Sequence, residues 1–268
     1  VDSVQSGVEF GIGLRMVFGH KVLYGYTNKV GADELRRIAS ELAAKDRRDP
    51  VTHASAFNFI ASDDQHPAEK RLSQDAQLDA KIAYLLTASR AAFAGGAAIH
   101  QTKGACLQRE QAVEIFNSEG LHAHDTRHYV RTSLTAIASA GSDQAVGSDN
   151  FGGLLGWEVA DQHSAATLGA QAARQALVNL SARPCPSGTM PVVMGNGFGG
   201  VIFHEACGHL LETTSVAKQA SVFHDQMGQQ IAHTKVSAVD DGTLKNAWGS
   251  LNIDDEGMPT QRTQLIQD

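Results

Sequence analysis

His204-Glu205-Ala206-Cys207-Gly208-His209 is the segment of this chain whose residue types could do chemistry. Metal-assisted hydrolysis needs neutral imidazoles to hold a cation and a carboxylate beside the cation's water. The cation lowers the water's pKa, and the carboxylate takes the proton and passes it on. A His-Glu pair followed by a second His places all three groups on one short stretch. With 12 His in the chain, random placement gives roughly 0.02 occurrences of His-Glu-x-x-x-His.

The spacing is unusual. Imidazoles four residues apart lie about 40° apart around a helix; five apart they lie about 140° apart. A straight helix would point His204 and His209 away from each other. One extra residue absorbed as a π-bulge would bring them back together, with Gly208 best able to take the distorted backbone. Cys207 projects about 100° from its neighbours and reads as a small core residue rather than a ligand. Glu212, one turn beyond His209, either orients that imidazole or is a solvated helix-end carboxylate.

The wider composition sets the class. The chain has 268 residues, 42% hydrophobic and 19% charged, with 26 Gly and a formal net charge of −7. Such a length carries one large or two modest domains with a real core. Mild acidity argues against a nucleic-acid protein. Three cysteines (106, 185, 207) form no even framework and point to a reducing, cytoplasmic setting. No apolar run reaches the length of a membrane span, and no basic-then-apolar leader opens the chain. The start at Val1 and the stop at Asp268, inside an apparent strand (263–266), lead us to expect a fragment.

Pattern along the chain gives an α+β protein. Residues 8–27 read as a β-hairpin, 33–45 as a helix with Asp33 and Glu34 in its first turn, and 46–66 as loop. A helix is expected over 68–94, stopped by Gly95-Gly96. Strands follow at 97–107, 111–117, 121–125 and 127–139. Gly141 to Gly156 reads as a surface loop, 159–181 as an Ala-rich helix, and Met190–Met194 as a short strand before the metal helix. A boundary falls in the Arg183–Gly188 linker. We therefore expect an N-terminal domain (1–183) of antiparallel sheet and long helices, then the start of a β-rich C-terminal domain (184–268).

Other candidates carry less. His122, His124 and His128 gather near Asp125 and are better read as surface or hairpin histidines than as ligands; His224 and His233 read the same way. Asp240-Asp241 and Asp254-Asp255-Glu256 precede glycines and read mainly as turns. Gly195-x-Gly197-x-x-Gly200 matches a dinucleotide fingerprint in spacing, but no βαβ unit with its acidic residue accompanies it. These glycines fit close approach of a peptide or another backbone.

The segments Pro191–Gly195 and Gly200–Glu212 resemble the signature of the TldD/PmbA family, in its TldD-type subunit. Val239–Thr243, Gly249–Gln261, Asn117–Leu121 and Ala176–Leu180 resemble further family segments in the same order, so the likeness covers most of the chain. PmbA-type (TldE) subunits lack the His-Glu-x-x-x-His. The resemblance implies a zinc peptidase for unfolded or short, sometimes modified, peptides. It implies that His204 and His209 hold Zn²⁺, that Glu205 is the general base, and that a Cys beyond residue 268 is the third ligand. It also implies a homodimer, or a heterodimer with a TldE/PmbA-like subunit, and no nucleic-acid or membrane partner. A peptidase like dipeptidyl peptidase III shares the motif, but the Asp254–Gln261 segment argues against it. A non-catalytic peptide-binding or partner subunit is the alternative of another class.

Overall fold

A computed structural model describes residues 2–47, 56–61, 64–69 and 77–267. The chain is α+β and forms two compact units: Val1–Ala56 with Ser118–Gly120, and Phe57–Asn117 with Leu121–Asp268.

In the first unit, β1 (Ile12–Phe18) and β2 (Lys21–Thr27) form the expected antiparallel hairpin. Helix α1 (Ala32–Ala43) buries Ile38 and Leu42, and Ile38 sits where a side chain at Gly25 would be. Glu34, in the first turn of α1, takes two hydrogen bonds from the Arg37 guanidinium, at 2.9 and 2.8 Å, and one from Thr27 Oγ1.

The second unit is built on one long strand. β5 (Leu121–Ala140) pairs along its length with β4 (Ile99–Phe116), antiparallel, through the turn Asn117–Gly120. Its other edge is shared: β3 (Asn58–Ala61) runs parallel to residues 121–124, and β6 (Asp143–Leu154) antiparallel to residues 129–140. The four strands expected between 97 and 139 are thus two. Two elements correct the sequence reading. β3 lies in a stretch read as loop, of which 48–55 and 62–63 fall outside the described residues. β6 occupies the supposed surface loop 141–156, and its glycines explain the misreading. A Cβ on Gly147 would lie 2.4 Å from the Ala172 carbonyl oxygen, and one on Gly153 would lie 2.3 Å from that of Asn246. These glycines admit neighbouring backbone rather than form turns.

Helices α2 (Leu78–Ala94) and α4 (Ala165–Ser181) cover one face of the sheet, with the single turn α3 (Val159–Gln162) before α4. Residues 70–76, at the expected start of α2, lie outside the described residues. Ser164 caps α4 by accepting the Thr167 N–H at 3.1 Å. The core joins Val130, Leu134, Ala136 and Ala138 of β5 to Ala88 and Ala92 of α2 and Leu168, Ala172 and Ala176 of α4. Small residues let the layers approach closely: a Cβ on Gly169 would lie 1.9 Å from the Ala88 carbonyl oxygen.

The opposite side of β5 is tied to the C-terminal segment. Arg127 and Asp125, both buried, pair at 3.1 Å. Arg127 also donates to Asp255 and to the Ile253 carbonyl, each at 3.0 Å, and Asn252 donates to Asp125 at 2.9 Å. Burial opposes the guanidinium charge, but its hydrogen bonds to the Asp125 and Asp255 carboxylates outweigh that and raise the Arg127 pKa. Residues 184–268 contribute two short paired strands, β7 (Ala238–Asp241) and β8 (Arg262–Ile266). Met190–Met194 has no regular structure and pairs with no strand among the described residues, so the expected strand is not formed. A strand needs a neighbour to take its backbone hydrogen bonds.

Candidate metal centre

A 3-10 turn (Gly197–Gly199) leads into helix α5 (Gly200–Ala206), which carries His204 and Glu205. The helix does not continue to His209, and no π-bulge forms. It ends at Ala206; Cys207 leaves helical geometry at φ −135°, ψ −49°. A second 3-10 turn, Gly208–Leu211, carries His209. The break is at Cys207 rather than Gly208. It replaces the extra-residue bulge by changing the chain's direction, which undoes the 140° separation a straight helix would impose.

The result brings the expected residues together. The rings of His204 and His209 meet edge to face, 4.4 Å between centroids. His204, Glu205 and His209 each offer a donor atom within 4.8 Å of the others, and among the described residues they are the only such group. His209 Nε2 lies 3.8 Å from Glu205 Oε2. All three side chains are exposed. Two imidazoles in that space fit a borderline-soft divalent cation such as zinc, with the Glu205 carboxylate close beside them. Cys207, half-buried, lies outside the cluster.

Glu212 joins from the far side: His209 Nδ1 and Glu212 Oε1 are 2.6 Å apart. This hydrogen bond raises the His209 pKa above the ordinary imidazole value. Sequence reasoning missed Ser221. It is buried and donates its hydroxyl to the Leu210 carbonyl at 2.5 Å, anchoring the turn that carries His209. Its partner is a backbone atom, so no residue pattern announces it.

The other candidates stay apart from this cluster. His122 and His124 face Glu114 of β4 at 3.7 and 3.9 Å, and His128 faces Glu110 at 3.2 Å. Asp125, on the alternate face of β5, is taken by Arg127 and Asn252. Asp240 and Asp241 end strand β7 rather than form a turn, with Asp241 accepting from the Thr243 N–H just beyond it, while Asp254 accepts from the N–H groups of Glu256 and Met258, as a turn residue does. His224 Nδ1 lies 3.0 Å from the Ser221 carbonyl, and His233 accepts from the Lys235 N–H. The Gly195–Gly200 run follows no paired strand and opens a helix of seven residues, unlike a dinucleotide fold.

Three profiles of one family match in order: PmbA/TldA metallopeptidase domain 1 over residues 1–45, its central domain over 71–180 and its C-terminal domain over 187–268. The chain belongs to the PmbA/TldD family. Among curated family relatives, a metalloprotease TldD homolog of Haemophilus influenzae is 35% identical over 97% of this chain and 55% of its own length. One from Buchnera aphidicola is 28% identical over 96% of this chain and 54% of its own. The chain thus spans about half the length of the curated relatives it matches. Solved structures share the family fold at 16% identity. TldE from Thermococcus kodakarensis superposes with a TM-score of 0.66 over 94% of this chain and 57% of that one. A candidate modulator of DNA gyrase from Bacteroides thetaiotaomicron reaches 0.78 over 98% and 60%. Among the described residues, no helix is long and apolar enough to cross a membrane.

Proposed function

We propose that this chain carries the metal-binding, water-activating part of a zinc-dependent metallopeptidase that hydrolyses unfolded or short peptides. The observation that carries the reading is the meeting of His204, Glu205 and His209 within 4.8 Å across a broken helix. The names of the curated relatives, metalloproteases, support the reaction class.

In this reading His204 and His209 hold Zn²⁺ through imidazole nitrogen. Bound there, the cation supplies an acidified water and polarises the peptide carbonyl. Glu205 is the general base: its Oε2 receives the proton of the attacking water and returns it to the departing amine. The third ligand is a Cys outside this sequence, as the family resemblance implies. The partner is a second copy or a TldE-like subunit, as the family resemblance implies. The cytoplasmic setting is supported by three free cysteines. The domain boundary at 183/184 is supported by the exposed stretch without regular structure that follows it.

Glu205→Gln tests the assignment on the protein with its partner subunit present. We expect zinc to be retained while cleavage of unstructured peptides falls by about 10²–10⁴-fold. Cleavage by Glu205→Gln at the wild-type rate would remove the general base. A wild-type protein that takes up no zinc at neutral pH would leave a non-catalytic peptide-binding or partner subunit as the reading.

A further inference from the structure

We propose that Glu212 is a positioning residue for this centre: its carboxylate accepts the Nδ1 proton of His209, fixing the imidazole's tautomer and orientation with Nε2 turned toward Glu205. The inference rests on the metallopeptidase reading and goes beyond it, because the ligand set alone does not say which nitrogen of His209 serves.

Local geometry makes the pair. His209 sits in the 3-10 turn Gly208–Leu211, and Glu212 is the first residue beyond it, at φ −64°, ψ 137°, close enough for its carboxylate to reach back to the ring. The contact is 2.6 Å, within the range of charge-assisted hydrogen bonds. Nδ1 and Nε2 lie on different edges of the ring. With Nδ1 held by Glu212, Nε2 is the edge that lies 3.8 Å from Glu205 Oε2. A neutral imidazole carries one proton, so a carboxylate that holds it on Nδ1 leaves the Nε2 lone pair for a cation.

Both partners are anchored. The Leu210 carbonyl, next to His209, accepts from the buried Ser221 hydroxyl. The Glu212 carbonyl accepts the N–H groups of Ser215 and Val216, each at 3.0 Å, at the start of α6 (Thr213–Ala217). A carboxylate behind a ligating imidazole orients the ring and raises its basicity, and losing it commonly weakens metal binding 10–100-fold.

The test pairs zinc affinity, by competition with a chelating indicator, with nitrogen-15 NMR of the zinc-loaded protein. Wild type is compared with Glu212→Ala and with the isosteric Glu212→Gln, which keeps an acceptor oxygen without its charge. We expect zinc binding to weaken about 10–100-fold in Glu212→Ala and less in Glu212→Gln. His209 should carry its proton on Nδ1 in wild type, and that proton should lose its hydrogen-bonded shift in Glu212→Ala. If Glu212→Ala does not fold, by circular dichroism, Glu212→Gln decides on the same two readouts. Affinities within about twofold of wild type, or zinc on Nδ1 of His209, would overturn the assignment. Unchanged zinc binding in both His204→Ala and His209→Ala would instead overturn the metal reading, and the assignment with it.

Discussion

The imidazoles of His204 and His209 lie edge to face, 4.4 Å between centroids, although five residues separate them. The break at Cys207 makes this possible. Its role is therefore in its backbone, which leaves the helical region, and its thiol stands outside the donor cluster.

Cys207→Ser should accordingly keep zinc at about one per chain, while His204→Ala and His209→Ala lose it. Elemental analysis of the three purified variants checks this. Loss of zinc from Cys207→Ser comparable to the histidine variants would make the thiol a ligand.

Arg127 should be the most costly charge to remove. Its guanidinium satisfies Asp125, itself 2% exposed, and reaches the turn that holds Ile253 and Asp255. Arg127→Ala leaves a carboxylate buried without its cation, at a cost of about 3–5 kcal/mol. Asp255→Ala removes a partner whose side chain is 84% exposed, so it should cost under about 1 kcal/mol. Urea denaturation of both variants measures the contrast; equal midpoints would mean that Asp125 finds another partner.

Glu34 sets an acid limit in the first unit. The Arg37 hydrogen bonds, with smaller help from Thr27 and Lys29, outweigh burial and hold its pKa at about 2. A carboxyl whose folded pKa is depressed contributes stability above its unfolded pKa. That contribution fades as pH falls from about 5 through 2. A carbon-detected NMR titration should show Glu34 still ionised at pH 3, and Arg37→Gln should return its midpoint toward the ordinary carboxylate range. An unchanged midpoint in Arg37→Gln would show that the pair is not what holds the charge.

Much of this was legible in the sequence where the pattern is local. The hairpin of β1 and β2, helix α1 and the body of helix α4 follow from alternation and helical spacing, but the single helix expected over 159–181 breaks at His163 (φ −128°, ψ 110°), leaving α3 as a separate turn. β3 was not legible: it is four residues long, and its parallel partner, Leu121–His124, lies some sixty positions away. β6 was hidden because Gly147, Gly152 and Gly153 carry the signature of a turn while serving a close contact. At the centre, residue types pointed to His204, Glu205 and His209. The way the chain joins them did not show, since a π-bulge and a helix break differ only in the backbone of Cys207 and Gly208. Glu212 stood three residues from His209 in the sequence, but only the 3-10 turn shows which of its two readings the geometry favours.

The contacts of Gly147 and Gly169 with α4 and α2 also bound the sequences this fold accepts. Elsewhere in a core, a lost methylene can be offset by a gained one next to it. At these two positions every alternative residue is larger, and the atoms it would meet are backbone, at 2.4 Å or less. Compensation would have to move a whole helix rather than exchange a neighbour. Mutational drift in this layer is therefore confined to the residues around the two glycines, and the spacing between sheet and helices is inherited with them.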